Sequence, residues 1–314
     1  MHRTRTLSTF IFLLAVPMLA IDLRAQVVPG SGRKLTNVGD SFEDENWSWV
    51  PKLPKSSREQ DGRLRAPTGF STNRRWFESP KRGQPDQVER VATPPDGLVG
   101  SKGSLLLRSL YTSRPNTPGY EQCQDDFILA CASRVGALNI GRTPSFVTRV
   151  WLPPFDQWED RTGTQFGIRA DLKTTKTETK RRFLFSSRTE HIGEAYWPGF
   201  FIQFHSETDR RFNEDSAMLL LRCDQYGREI SGPAIRETGW WTFGMSFTPD
   251  GRAHYYASPG VDPLTRADYI TSTFPYSYRA ERFATMFFNV VNSDNGKTWS
   301  TPFIVDDTEV FVLN

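Results

Sequence analysis

Apolar and polar residues alternate in short runs along most of the chain, and turn-forming residues separate these runs. The clearest case is residues 239–257, where two such runs flank the turn Thr248-Pro249-Asp250-Gly251. Alternation with a period of two is typical of a half-buried strand, and Pro followed by Asp-Gly favours a tight turn. The stretch therefore predicts a β-hairpin.

Comparable runs recur along the whole sequence. The predicted strands are 42–50, 104–109, 146–152, 165–170, 182–186, 199–204, 217–222, 239–247, 252–257, 286–291 and 301–313. One helical turn is predicted at 262–269, where Asp262 can cap and Pro263 can open the first turn. Helices do not alternate with strands, so the pattern predicts an all-β protein, an antiparallel β-sandwich of the jelly-roll type. Long irregular loops and at most one or two short helices are expected.

The N-terminus has the pattern of an export signal. Residues 1–25 combine a basic start, an uncharged apolar run and a small residue, Ala25, before Gln26. This order is typical of a secretory signal peptide, and the apolar run is short for a membrane span. We expect a secreted protein, extracellular or periplasmic, without a transmembrane segment. The remaining 26–314 would form a single jelly-roll domain, with 51–97 as a loop-rich decoration.

The charge balance excludes one class of partner. The chain has 39 Lys and Arg against 36 Asp and Glu, and removal of the predicted signal peptide would bring the two numbers closer. A nearly neutral protein has no long-range field that attracts nucleic acid. The oligomeric state is left open by this balance.

The sequence contains three cysteines. Cys123 and Cys131 are close enough in sequence to close a small loop by a disulfide bond, which an oxidising compartment would permit. Cys223 would then be a buried free thiol. No CxxC or HxxxH spacing favours a metal site instead.

Three segments resemble the concanavalin A-like and laminin-G-like jelly rolls. They are the opening Asp40-Ser41-Phe42-Glu43-Asp44 with Trp47 and Trp49, the tryptophan-containing strand before Pro-Asp-Gly-Arg, and the closing run 303–310. That superfamily includes carbohydrate-binding modules and glycanases, so the resemblance implies a domain that binds or degrades polysaccharide. It also implies that a structural calcium ion could lie near Asp306. A fold by itself does not specify the activity.

Two short motifs are similar to parts of the jelly-roll polysaccharide lyases. They are Arg188-Thr189-Glu190 and Gln203-Phe204-His205. The resemblance implies that Arg188 and Gln203 neutralise a uronate carboxylate and that His205 removes a proton, while a tyrosine, with Tyr255 as one candidate, protonates the leaving oxygen. The third lyase motif, a tyrosine- and lysine-containing strand, has no counterpart. A polar sandwich face without catalytic function is the alternative interpretation.

Aromatic residues are the other candidates for a site. Nine tryptophans and nine tyrosines exceed what a core of this size needs, and aromatic faces stack on sugar rings. The candidate ligand-binding residues are Trp197, Tyr256, Tyr276 and Tyr278.

A turn near the C-terminus is similar to the Asp-box of sialidases. Asp294, Gly296, Thr298 and Trp299 occupy the motif positions, but only one copy is present and a propeller needs repeated blades. A structural turn is therefore predicted.

The sequence as a whole predicts a secreted carbohydrate-binding β-sandwich whose activity is not identified. The alternatives are a polysaccharide lyase or glycoside hydrolase acting on a uronate-containing glycan, and a cell-surface structural domain without a ligand groove. No complete catalytic signature decides whether the protein is an enzyme.

Overall fold

The computed structural model describes residues 27–112, 114–182 and 186–313, and the side chains of 180–188 are not part of this description. The predicted signal peptide lies outside the described residues. The strands are β1 Arg33–Asp40, β2 Trp49–Val50, β3 Phe70–Ser71, β4 Trp76–Glu78, β5 Gln87–Ala92, β6 Gly103–Arg108, β7 Cys123–Leu129, β8 Leu138–Asn139, β9 Ser145–Leu152, β10 Gly163–Arg182, β11 Ser186–Tyr196, β12 Gly199–His205, β13 Ser216–Arg222, β14 Glu229–Ile235, β15 Gly239–Phe247, β16 Ala253–Pro259, β17 Tyr269–Thr273, β18 Arg282–Asn292 and β19 Phe303–Val312.

Helical structure is limited to single turns. The helices are α1 Arg58–Asp61 and α2 Ala132–Val135, with 3₁₀ turns at Ile140–Arg142, Phe155–Gln157, Arg266–Asp268 and Pro275–Ser277. Within the described ranges, no helix is both long and apolar enough to cross a membrane.

The strands form two antiparallel sheets. In the first sheet the order is β17-β16-β15-β9-β19-β6-β5, and β1 also pairs with β19. In the second sheet the order is β14-β13-β12-β10-β18-β7-β4-β3-β2, with β11 paired to β10 and β8 to β18. Some neighbours are consecutive strands, such as β15 and β16, whereas others, such as β6 and β19 or β10 and β18, are far apart in sequence.

The core lies between the two sheets. Alternate residues of each strand point inward, so Phe166 of β10 meets Phe303 of β19 with ring centroids 4.8 Å apart. Likewise Phe200 of β12 meets Phe243 of β15 at 5.5 Å. These contacts join both sheets in one continuous hydrophobic cluster. The predicted all-β antiparallel sandwich is confirmed.

The predicted C-terminal hairpin is confirmed as β15 and β16. Its turn is closed by a hydrogen bond from the Gly251 amide to the Thr248 carbonyl at 2.8 Å, and Gly251 has a positive φ of 85°. The predicted strand at 42–50 is shorter than expected. Only Trp49–Val50 is a strand, because Phe42 has a positive φ of 56° and a turn follows it, closed by a hydrogen bond from the Trp47 amide to the Asp44 carbonyl at 2.9 Å.

The segment 51–97 is more structured than a loop-rich decoration. It contributes α1 and three strands, β3 and β4 to the second sheet and β5 to the first. Lys55 anchors it, because its ammonium group lies 2.7 Å from Asp125 and 2.9 Å from Asp86. Burial alone would lower the pKa of Lys55, but the two carboxylates outweigh it and raise that pKa. The ammonium group therefore stays charged inside the protein.

The predicted disulfide between Cys123 and Cys131 is not formed. Cys123 opens β7, and Cys131 follows the other end of the same strand. An extended strand rises about 3.3 Å per residue, so the two α-carbons lie roughly 25 Å apart, far beyond the reach of a disulfide. Cys223 is a buried free thiol as predicted, and burial raises its pKa to about 11.

Candidate functional site

A groove of about 660 Å³ crosses the outer face of the second sheet. Its floor comes from the neighbouring strands β10, β18 and β7 and from Arg222 of β13, which lies beyond β12. Its rims come from α1, the loop 79–82 and the residues that precede β12. Its floor and rims include the charged, polar and aromatic residues Glu59, Lys81, Arg82, Gln124, Asp126, Arg169, Asp171, Lys173, Trp197, Arg222, Tyr276 and Phe287. The volume lies in the range of sites that hold small ligands.

Arg169 lies at the centre of the floor. In β10 the core side chains are Ile168 and Ala170, so Arg169 between them points to the outer face. On the neighbouring strand β12, Gly199 lies opposite Arg169 and has no side chain that would block the arginine. A Cβ at position 199 would lie 2.3 Å from the Ile168 carbonyl oxygen and 2.8 Å from Arg169 Cγ. Glycine at 199 therefore makes room for the arginine.

The guanidinium group of Arg169 is held on three sides. Its Nε and Nη2 atoms donate to the Trp197 carbonyl at 3.1 and 2.9 Å. Its Cζ atom lies 5.3 Å from the ring centre of Phe201 and 5.4 Å from that of Phe287. Burial, followed by the charge of Arg222, lowers the pKa of Arg169 to about 10, so it remains a cation at neutral pH.

Trp197 and Tyr276 form the aromatic part of the groove. The hydrogen bonds from Arg169 fix the Trp197 main chain, and Lys81 Nζ lies 4.5 Å from the indole centre. Tyr276 has a φ of 60°, and its ring packs on Gly227, where a Cβ would come within 2.1 Å of Tyr276 Cε1. Both residues were predicted from the sequence to contact a ligand, and the structure brings them into one groove.

Two carboxyl groups of the groove have raised pKa values. Asp126 accepts hydrogen bonds from Gln124 at 2.7 Å and Asn289 at 2.6 Å, and burial raises its pKa against the opposing charge of Arg82. Burial also raises the pKa of Asp171, whose Oδ1 atom is buried without a hydrogen bond. A carboxyl group with a raised pKa can donate a proton.

These two carboxyl groups do not form the pair that a glycoside hydrolase uses. Asp126 lies opposite Asn289, and Asn289 lies opposite Gly167, whereas Asp171 is four residues further along β10. Strand spacing of about 4.8 Å and a rise of about 3.3 Å per residue place them roughly 16 Å apart. The acid and its partner in such enzymes are about 5 to 10 Å apart.

Two residues predicted for a lyase, Gln203 and His205, lie outside the groove. Gln203 and His205 share the outer face of β12 as expected, but neither lines the groove. His205 stacks on Phe212 with ring centroids 4.2 Å apart, and burial and Arg211 lower its pKa. Arg188 pairs with Lys180 through the backbone of the β10–β11 ribbon, and its side chain lies outside the described part of the structure.

Three tyrosines named from the sequence lie away from the groove. Tyr255 is fully buried, and its hydroxyl donates to the Arg222 carbonyl at 3.1 Å. Tyr256 is fully buried on the other sheet and packs against Tyr269. The expectations that Tyr255 protonates a leaving group and that Tyr256 contacts a ligand are therefore corrected, since neither ring is accessible. Tyr278 packs at the rim of the core, where its ring contacts Tyr196 and Lys176.

Asp306, the residue predicted to bind calcium, is buried in the first sheet. Its Oδ2 atom accepts hydrogen bonds from the Ser101 and Ser104 hydroxyls at 2.8 and 3.1 Å. Its Oδ1 atom accepts one from the Asp307 amide at 2.8 Å. Among the described residues, no group of three or more His, Cys, Asp or Glu side chains is arranged to hold a metal ion. The hydrogen bonds made by both oxygens do not favour a cation, and calcium at Asp306 stays a prediction.

The turn similar to an Asp-box has the structural role predicted for it. Asp294 is buried, and its carboxylate accepts hydrogen bonds from the Thr112 amide at 3.0 Å and the Gly119 amide at 2.6 Å. Gly296 takes a φ of 68°. The aspartate thus ties a distant loop to this turn.

Arg169, Arg222 and Asp126 were not predicted as site residues from the sequence. They lie on three strands of the sheet and share no local motif. One signal was available for Arg169, because a charged residue between the apolar Ile168 and Ala170 marks an outward-facing position in a strand.

No protein-family model matches the sequence, and no curated protein matches it. Solved structures with a similar fold include the binding domain of Paraclostridial Mosquitocidal Protein 1, with 11% identity over 77% of this chain and 46% of that chain and a TM-score of 0.33. A GH131 beta-glucanase catalytic domain from Podospora anserina has 13% identity over 75% of this chain and 78% of that chain, with a TM-score of 0.36. The exoplasmic/lumenal domain of VIP36, solved with Ca²⁺ and Man3GlcNAc, has 10% identity over 77% of this chain and 85% of that chain, with a TM-score of 0.33. This chain thus spans about half the length of the first of these proteins. At these scores the similarities carry no inference about its activity.

Proposed function

We propose that this protein is an exported carbohydrate-binding protein and that the groove on its second sheet binds the saccharide. The observation that carries the proposal is the groove itself, in which Trp197 and Tyr276 lie beside hydrogen-bonding side chains such as Gln124 and Arg169. Sugar rings offer an apolar face that stacks on an aromatic ring and hydroxyl groups that need polar partners. The groove supplies both.

The size and openness of the site also fit an extended ligand. The groove runs across several strands, and its rims come from separate segments: α1, the loop 79–82 and the residues that precede β12. Lys81 contacts the Trp197 ring, but a long lysine side chain can move aside when a sugar stacks there. A structural domain without a ligand groove is less compatible with this surface.

The test is a glycan-array screen of the protein without residues 1–25, followed by calorimetry on the best ligand. Trp197→Ala should weaken binding about tenfold, because loss of an aromatic contact is worth about 1 to 1.5 kcal/mol. Tyr120→Ala is the matched control, since Tyr120 is an exposed aromatic residue outside the groove. If Trp197→Ala binds as tightly as the wild type, or no glycan binds, the proposal fails.

Export has a separate test. Expression of the full chain in a host with a general secretion pathway should give a secreted product, and its N-terminal sequence should begin at Gln26. Retention of residues 1–25 on the mature protein would contradict export by this signal.

A further inference from the structure

Two arginines converge on the floor of the groove. Arg169 and Arg222 lie on either side of Gly199, because Gly199 pairs with Arg169 of β10 and with Arg222 of β13. Both guanidinium groups lie over the same ring, with Cζ atoms 5.3 and 5.0 Å from the centre of Phe201. The missing side chain at Gly199 allows two like charges to approach each other.

The hydrogen bonds of the two arginines leave donors available. Arg169 uses Nε and Nη2 for the Trp197 carbonyl. Its Nη1 atom has no hydrogen bond within the described residues and is not among the fully buried unsatisfied atoms, so it faces the groove. Arg222 forms an ion pair with Glu229, to which it donates from Nε at 2.7 Å and also from Nη2. The Nη1 atoms of both arginines are therefore open to a ligand.

The surrounding charges add to this positive potential. The lining contains more cations than carboxylates: Lys81, Arg82, Arg169, Lys173 and Arg222 against Glu59, Asp126 and Asp171. Glu59 is already paired with Arg82 at 2.8 Å. Arg222 is likewise paired with Glu229, which leaves Lys81, Arg169 and Lys173 against Asp126 and Asp171. The groove is a positive site on a protein that is nearly neutral overall.

A structural role does not account for this arrangement. Fixing the Trp197 main chain requires only the two donors that Arg169 already uses. Arg169 is only 6% exposed, and the cost of its burial outweighs the attraction of Asp126, because its pKa is lowered overall. Its desolvation is therefore only partly compensated by an opposite charge. A planar guanidinium group matches a carboxylate or sulfate with two parallel hydrogen bonds. A bound anion would supply the missing partner.

We propose that Arg169 and Arg222 together bind the anionic group of an acidic polysaccharide while its sugar ring stacks on Trp197. This inference rests on the proposed saccharide-binding function and names the class of saccharide. A uronate carboxylate and a sulfate ester share the recognised chemistry, so both sources belong in the test.

The experiment is calorimetry at low and at moderate NaCl concentration with matched ligands. The probes are an oligogalacturonate, the same oligosaccharide with its carboxyl groups reduced to alcohols, a carrageenan oligosaccharide and its desulfated form. We expect at least one charged ligand to bind about tenfold or more tightly than its neutral counterpart, with affinity that falls as salt rises. A preference for the oligogalacturonate identifies the carboxylate as the recognised anionic group, and a preference for the carrageenan oligosaccharide identifies the sulfate.

Three variants test whether Arg169 and Arg222 cause the preference for charged ligands. Arg169→Met and Arg222→Met should each reduce affinity for the charged ligand about tenfold or more and leave the neutral ligand much less affected. Arg33→Met removes the same charge from an exposed position on the first sheet. It should change neither the affinity for the charged ligand nor that for the neutral ligand. Arg222 is less buried than Arg169, so Arg222→Met keeps the test decisive if Arg169→Met does not fold, as judged by circular dichroism.

The outcomes separate this inference from the proposed function. Equal affinity for charged and neutral partners, or wild-type affinity in both groove variants, overturns the anion site and leaves saccharide binding intact. Failure of all four oligosaccharides, together with a negative glycan array, overturns both.

Discussion

Arg169 and Gly199 face each other across β10 and β12, and the side chain of one occupies the space that the other leaves open. This pair determines two properties of the groove. It allows the arginine to reach the Trp197 carbonyl, and it gives Arg222 access to the same floor. A single glycine thus positions two cations and one aromatic residue.

The first prediction concerns this glycine. Gly199→Ala should lower the free energy of unfolding by about 1 to 3 kcal/mol, because the new Cβ would lie 2.3 Å from the Ile168 carbonyl and the strand must shift. Urea denaturation measures the change. Gly193→Ala in β11 is the control, since a Cβ there has no heavy atom within 4 Å, and it should change stability by less than about 0.5 kcal/mol. Equal effects of the two substitutions would contradict this explanation.

The second prediction concerns the buried cation Lys55. Lys55→Met should destabilise the protein by about 3 to 5 kcal/mol, because it leaves Asp125 and Asp86 buried or half-buried beside an apolar group. The variant should also expose 51–97 to proteolysis, since Lys55 ties this segment to β7. Lys34→Met, which breaks the more exposed pair with Glu309, should cost less than about 1 kcal/mol. Adding Asp125→Asn to Lys55→Met should recover part of the loss, and no recovery would argue against the charge as its cause.

The third prediction concerns pH. Burial, followed by the charge of Asp307, raises the pKa of Asp306 to about 7, from 3.8 in a model compound. Folding therefore favours the protonated form of Asp306. Its contribution to the free energy of unfolding is complete below about pH 4 and is lost as the pH rises through 7. Asp306→Asn should remove this dependence of the free energy of unfolding on pH. The stability of the variant relative to the wild type should therefore increase by up to about 4 kcal/mol between pH 4 and pH 8. Denaturation series at several pH values measure this difference, and a constant difference would refute the assignment.

The fourth prediction concerns the buried thiols. Burial raises the pKa of Cys131 to about 12 and that of Cys223 to about 11, and a thiol must ionise to react. Iodoacetamide at neutral pH should leave both unmodified in the native protein and modify both after unfolding, as mass spectrometry of peptides would show. A peptide containing a disulfide between Cys123 and Cys131 would contradict the structure.

The sequence predicted the hairpin of β15 and β16 and the sandwich because alternation along a strand is a local property. It did not predict the length of β10, which runs from Gly163 to Arg182. Half of this strand is polar and pairs only with β11, so it carries no apolar alternation. The predicted strand at 182–186 falls where β10 ends and β11 begins.

The candidate site was predictable only in part, and for a related reason. Trp197 and Tyr276 were noticed because aromatic residues in polar loops are conspicuous in a sequence. Arg169, Arg222 and Asp126 meet only when strands separated by many residues pair in one register. The motif comparison instead favoured Gln203 and His205, which share a face of one strand without entering the groove.

The hydrogen bonds from Arg169 hold the carbonyl of Trp197 and not its indole ring. The position of the residue is consequently independent of which side chain it carries. A phenylalanine, tyrosine or histidine at 197 would stand at the same place on the rim, so ligand preference could be changed by substitution at one position without rebuilding the loop. The groove is in this respect a ready framework for engineering, or for natural variants, with altered saccharide specificity.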